Sequence, residues 1–293
     1  MLTTDTIAPL VDDPHCFGKI AAANALSDVY AMGGTPLYAL NLVFFPDDKL
    51  PLEVLKEIMH GAAETCREAG VPIVGGHTVR NDDVKFGLAV TGQIHLQQDG
   101  KNILSNIQAK PGQILVLSKA LGTGILGTAI KKGVAAPQSM NAAIASMCRL
   151  NKEALTIGQR FDVAACTDVT GFGLLGHLRN IVRGSSLRAR LDMRALPLLP
   201  DALKLAREGH IPGGSRANLD FVAPVLEGRQ QDDPEAELLT MLAADAQTSG
   251  GLLMSFPPSQ AQAACDALLE SGHAAACVGT LVEGSDAHIE LAF

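Results

Sequence analysis

The chain has no tryptophan, two tyrosines and nine phenylalanines among 293 residues, so aromatics cannot dominate its cores. With 47% hydrophobic residues, those cores must be built mainly from Ala, Val, Leu and Ile. There is no surplus of positive charge: the net charge is −8, which argues against a nucleic-acid surface or an anionic membrane partner. No C-x-x-C pair occurs. Cys16, Cys66, Cys148, Cys166, Cys265 and Cys277 are scattered, as expected of reduced thiols rather than a zinc site or disulfide framework. The N-terminus lacks the basic and apolar regions of a signal peptide, and no apolar run approaches the roughly 20 residues of a membrane span. These absences lead to the expectation of a cytoplasmic protein. They leave a phosphate ligand possible, because Mg²⁺ can bring positive charge to carboxylates.

The length is a soft prior for two domains. Apolar periodicity and breakers predict helices over 18–32 and 52–69, and strands over 37–45, 72–74 and 86–94. This order is α/β (α+β) in character. The polar stretch 97–112 marks a boundary, giving an N-terminal domain over 1–108 and a C-terminal α/β domain over 109–293. In the second domain a strand over 114–117 precedes a glycine-rich turn and helix. A long helix is expected around 140–159. Residues 211–218 and 230–237 read as loops. The tail reads as strand, helix and two strands.

The richest segment is Thr167-Asp168-Val169-Thr170-Gly171-Phe172-Gly173-Leu174-Leu175-Gly176-His177. An acid at a strand end, beside glycines that open a helix, suits a metal-bound phosphate; a capped helix after a turn is the plainer alternative. Gly75-Gly76-His77-Thr78 reads as a turn able to aim N–H groups outward, or as a turn with a surface histidine. Asp28 sits in a helix of small and apolar neighbours, where an acid is costly unless paired, solvated or cation-bound. Asp5 lies in a strand-like start. Together these acids and glycine loops suggest a divided Mg²⁺–nucleotide site. His77 and His177 are candidates for phosphate contact; the other histidines have no partner spacing. Gly122-x-Gly124-x-x-Gly127 follows a strand and opens a helix, but lacks the second parallel strand of a dinucleotide fold and the Lys of a P-loop.

The motifs Ala22 to Gly34, Gly75 to Thr78, Phe86 to Gly92, Thr167 to His177, Pro212-Gly213-Gly214 with Asn218, and Gln247 to Leu253 resemble selenophosphate synthetase (selenide, water dikinase). They span the chain in the family's order. The wider superfamily includes aminoimidazole ribonucleotide synthetase and thiamine-monophosphate kinase. The resemblance implies a two-domain architecture with an N-terminal dimer-forming sheet domain and a C-terminal α/β sandwich. It implies a homodimer that converts ATP, selenide and water to selenophosphate, AMP and phosphate, the selenium donor for selenocysteine and selenouridine. Carried over, Asp28 and Asp168 would ligate Mg²⁺, Asp5 would contact the ATP–metal cluster, and Gly76, His77 and Thr78 would bind ATP, from the partner subunit in one arrangement. The family's Cys or selenocysteine and its Lys precede the first residue here, so no catalytic residue is assigned, and weak nucleotide binding with little turnover is expected. Cys16 and Ala246 also depart from the family pattern. Two alternatives stay open: another ATP-dependent superfamily enzyme of the thiamine-phosphate kinase or cyclo-ligase type, and a non-catalytic dimer-forming paralogue.

Overall fold

The computed structural model describes residues 1–94, 103–284 and 286–293. The N-terminal part runs β1 (Leu2–Ile7), α1 (Pro14–Ala31), β2 (Thr35–Phe45), α2 (Leu52–Ala69), β3 (Ile73–Arg80) and β4 (Lys85–Gln93). The strands form one sheet ordered β1-β4-β2-β3, in which only the β2–β3 pair is parallel. Helix α1 starts four residues earlier than the sequence suggests. The Asp13 carboxylate accepts from His15 and Cys16 N–H, and Pro14 occupies the first turn, where no N–H is missed.

Helices α1 and α2 touch backbone to backbone. A Cβ on Gly18 would lie 1.9 Å from the Ile58 carbonyl oxygen, and one on Gly61 would lie 2.0 Å from that of His15. Neither backbone can yield, so the crossing requires both glycines. Helix α1 also packs on β4, and Ile20, Leu26, Val29, Leu88 and Val90 are buried in one core.

The second part runs β5 (Ile114–Leu117), α3 (Thr123–Lys131), α4 (Pro137–Cys148), α5 (Lys152–Gly158), β6 (Ala165–Asp168) and α6 (Gly173–Ser185). It continues β7 (Leu187–Asp192), α7 (Ala202–Arg207), α8 (Gly213–Val222), β8 (Leu226–Glu227), α9 (Pro234–Ala243), β9 (Leu252–Phe256), α10 (Pro258–Glu270), β10 (Ala276–Glu283) and β11 (Ile289–Ala292). Its sheet is ordered β6-β9-β5-β10-β7-β11-β8. β5 is antiparallel to both neighbours, which is incompatible with a parallel dinucleotide-binding unit around Gly122.

Several expectations need correction. The helix over 140–159 is two helices, broken at Arg149 to Asn151 because Asn151 turns inward to bond across the domain boundary. The 211–218 loop is mostly helix α8: its two glycines occupy the exposed first turn, and Ser215 and Asn218 are held by tertiary bonds. Of the 230–237 loop, the last four residues begin α9, capped by Asp233. Residues 75–78 are not a turn but the middle of strand β3. Positions 97–102 of the polar boundary, and His95 just before it, lie outside the described residues.

Candidate functional site

Alternation along β1 puts Thr3 and Asp5 on its inward face, toward α1. Helical spacing puts Asn24, Ser27 and Asp28 on one side of α1. The two sets lock together: the Thr3 hydroxyl donates to Asp28, and the Asn24 amide donates to Asp5. β6 delivers Asp168 from the second part of the chain to the same place, against α1.

Asp168 is 6% exposed, and its Oδ2 has no hydrogen-bond partner among the described residues. Burial pushes its pKa up to about 6, and the neighbouring charge of Asp28 adds to this, with a smaller push from Asp5. Burial also raises Asp5; the Asn24 amide opposes that shift and the Asp28 charge supports it. The structure therefore brings Asp5, Asp28 and Asp168 into one mutually repelling cluster.

Hydrogen bonds fasten the two parts together around this cluster. Ser249 N–H donates to Asn24 Oδ1 at 2.8 Å, and Asn151 Nδ2 donates to Ser27 Oγ and to the Gly250 carbonyl, each at 2.8 Å. Lys119 Nζ donates to the carbonyls of Ser249 and Arg149 at 2.8 and 2.6 Å. Burial, then the Arg149 charge, lowers the Lys119 pKa to about 7.

Gly76, His77 and Thr78 lie elsewhere. The register aligns Asp5, Leu88, Asn41 and Gly76 in one row across all four strands. Three strand spacings place Gly76 about 14 Å from Asp5. Strand β3 is the sheet edge, and all three residues are exposed. A Cβ on Gly76 would sit 2.4 Å from the Asn41 carbonyl oxygen, so its glycine serves strand packing.

His177 is not a phosphate ligand candidate in this geometry. It is buried within α6, its Nε2 accepts from Thr170 N–H at 3.1 Å, and burial lowers its pKa to about 4. A neutral imidazole thus pins the loop after Asp168.

Sequence reasoning missed Asn24, Ser27, Asn151, Asp245 and Gln247. Asp245 and Gln247 answer for the glycine-rich turn. Asp245 Oδ2 accepts from Gly124 and Ile125 N–H at 3.0 and 3.2 Å. Gln247 Oε1 accepts from Gly122 N–H, Thr123 N–H and the Thr123 hydroxyl. The start of α3 is saturated and has no free amides for a phosphate. The signal was available in the polar run Asp245 to Ser249, which is too concentrated to be a simple turn.

Three liganding oxygens of Asp5, Asp28 and Asp168 do not fall within 4.8 Å of one another. Among the described residues Glu227, Asp286 and His288 do meet that spacing. There, however, Arg188 pairs with Glu227 and lies 3.2 Å from Asp286, so that cluster is an ion-pair network.

The description AIR synthase related protein, N-terminal domain, matches residues 1–94, and the corresponding C-terminal domain matches 110–291. A selenide, water dikinase of Myxococcus xanthus (strain DK1622) is 48% identical over 286 residues, covering 96% of this chain and 78% of its own length. One from Porphyromonas gingivalis (strain ATCC BAA-308 / W83) is 43% identical over 289 residues, covering 98% and 80%. Among solved structures, thiamine-monophosphate kinase from Stenotrophomonas maltophilia K279a has a TM-score of 0.73 at 18% identity, covering 99% of this chain and 84% of its own. A hydrogenase maturation protein from E. coli has a TM-score of 0.73 at 22% identity, covering 100% and 82%. These structural likenesses share the two-part fold.

Proposed function

The chain belongs to the selenide, water dikinase family within the AIR synthase related proteins, and from that premise we propose that its inter-domain acid cluster binds the metal–ATP complex of that reaction. The reaction consumes ATP, selenide and water and yields selenophosphate, AMP and phosphate. The observation that carries the assignment is the convergence of Asp5 and Asp28 from one domain with Asp168 from the other.

The donor set fits a hard divalent cation. It is all oxygen, it is mutually repelling, and it includes a buried carboxylate oxygen with no partner among the described residues. Asp28 and Asp168 would hold Mg²⁺, and Asp5 would contact the ATP–metal cluster. The wide spacing of the acids suits ions that also take oxygens from the polyphosphate. Bound Mg²⁺ would neutralise phosphate charge as phosphoryl groups leave. The protein's own work is positional: Asn24 aims Asp5, Thr3 aims Asp28, and the Ser249 and Asn151 bonds hold the domains in register.

Gly76, His77 and Thr78 are proposed to bind ATP across a homodimer, because they lie on the far edge of the sheet from Asp5. The outward sheet face exposes Tyr38, Leu40 and Val74, an apolar surface suited to a second copy. The division at 108/109 and a cytoplasmic setting belong to the same proposal. No described helix is long and apolar enough to cross a membrane.

Phosphorus NMR of protein with ATP, Mg²⁺ and selenide tests the reading. Selenophosphate, AMP and phosphate are expected together, with Asp28→Asn and Asp168→Asn each at least about a hundredfold slower. Selenide-independent ADP formation, or undiminished rates in both variants, would contradict it.

A further inference from the structure

Lys119 follows β5 closely and is 3% exposed. The pairing of β5 with β9 lays the backbone of 251–252 against it: Ser118 N–H donates to the Leu252 carbonyl, and a Cβ on Gly251 would lie 2.5 Å from Lys119 N. The Lys119 ammonium donates to the Ser249 carbonyl at 2.8 Å and to the Arg149 carbonyl at 2.6 Å. Ser249 has a φ of 48°, in the left-handed region that residues with a Cβ rarely adopt. Its own hydroxyl is buried and has no partner among the described residues, so its side chain does not anchor that conformation. The Lys119 bond to its carbonyl does.

The conformation matters because of where it sends the Ser249 N–H, which donates to Asn24 Oδ1 across the domain boundary at 2.8 Å. An N–H only donates, so this bond fixes which end of the Asn24 side chain is oxygen. The amide nitrogen is thereby turned to Asp5, to which it donates. A flipped Asn24 would set donor against donor at Ser249 and oxygen against carboxylate at Asp5. Each link from Lys119 in the second domain to Asp5 in the first is thus a hydrogen bond or the Ser249 backbone itself.

We infer that Lys119 is a positioning residue for the nucleotide site: by holding the Ser249 carbonyl it keeps the Ser249 N–H on Asn24, and through the Asn24 amide it aims the Asp5 carboxylate. This inference rests on the proposed contact of Asp5 with the ATP–metal complex. Outer partners of this kind commonly change affinity by about 10- to 100-fold when removed.

The test is calorimetric titration of the protein with a non-hydrolysable ATP analogue in excess Mg²⁺, paired with thermal melts without ligand. Asp5→Ala checks the underlying assignment: unchanged affinity in that variant would remove the reading and this inference with it. If Asp5→Ala weakens binding, Lys119→Met decides. Met keeps an unbranched apolar stem but has no donor, and affinity is expected to fall about tenfold. In an Asn24→Ala background, and equally in Asp5→Ala, the same substitution should leave affinity unchanged, because the relay is already cut. The melting temperature should nevertheless fall in every background, since the Ser249 and Arg149 carbonyls lose their donor in each. Should Lys119→Met not fold, Lys119→Arg takes its place in the cycle, since a planar guanidinium does not reproduce the compact contacts of an ammonium. Wild-type affinity in the folded Lys119 variant, or an equal loss of affinity with and without the Asn24 amide, would overturn it.

Discussion

Asp168 stabilises the fold least where the proposed chemistry needs it ionised. Its pKa is raised from 3.8 to about 6, so the folded state holds the proton more tightly than the unfolded chain. The stability this contributes is full below about pH 4 and is lost as pH rises through 6. The shift corresponds to about 3 kcal/mol at neutral pH. Asp168→Asn should therefore melt several degrees above wild type at pH 8 without metal, with the advantage shrinking toward pH 4.5. Scanning calorimetry across that range checks it; a pH-independent gain would show that charge is not the cause. Asp245 shows the same buried shift, to about 6, but its oxygens cap α3 and receive the Ser215 hydroxyl. Asp245→Asn should consequently destabilise, by about 1–3 kcal/mol, since it turns an acceptor into a donor facing amides.

At the scale of elements, the α1–α2 crossing decides whether Asn24, Ser27 and Asp28 reach the site. Gly18→Ala and Gly61→Ala each force a carbonyl contact below 2.1 Å to open. Each should cost about 1–3 kcal/mol in denaturant unfolding and weaken nucleotide binding by displacing α1. Wild-type stability in both would show that the helices part freely. Most elements were legible because apolar period and breakers agree, as in α2, which ends at Gly70 in the left-handed region. The failures were tertiary. Gly213-Gly214 read as a loop because isolated propensity disfavours them in helix, yet at the first turn of α8 they cost little. The break at Asn151 left no local mark, since its cause is a pair of bonds to residues 99 and 124 positions away. Gly75 and Gly76 read as a turn, but Gly76 is there to permit the approach of β3 to β2.

In the whole molecule, the site is divided twice: between the two domains of one subunit and, as proposed, between subunits. Acid positions were legible because Asp28 and Asp168 stand out among small residues. The asparagines and serine that hold them were not, because Asn24, Ser27 and Asn151 look like ordinary polar residues until the domains meet. The dimer proposal predicts that Leu40→Asp with Val74→Asp yields monomer in sedimentation velocity and loses ATP binding, although both positions are remote from Asp168. A dimer that persists in this variant would show that another surface pairs the subunits.

The most direct test of the acid cluster uses Mn²⁺ in place of Mg²⁺. Electron paramagnetic resonance counts free Mn²⁺ as protein is added in the presence of a non-hydrolysable ATP analogue. Wild-type protein should remove Mn²⁺ from solution, with Asp28→Asn and Asp168→Asn each weakening uptake at least about tenfold. Equal uptake by wild type and both variants would contradict the placement of the metal between the two domains.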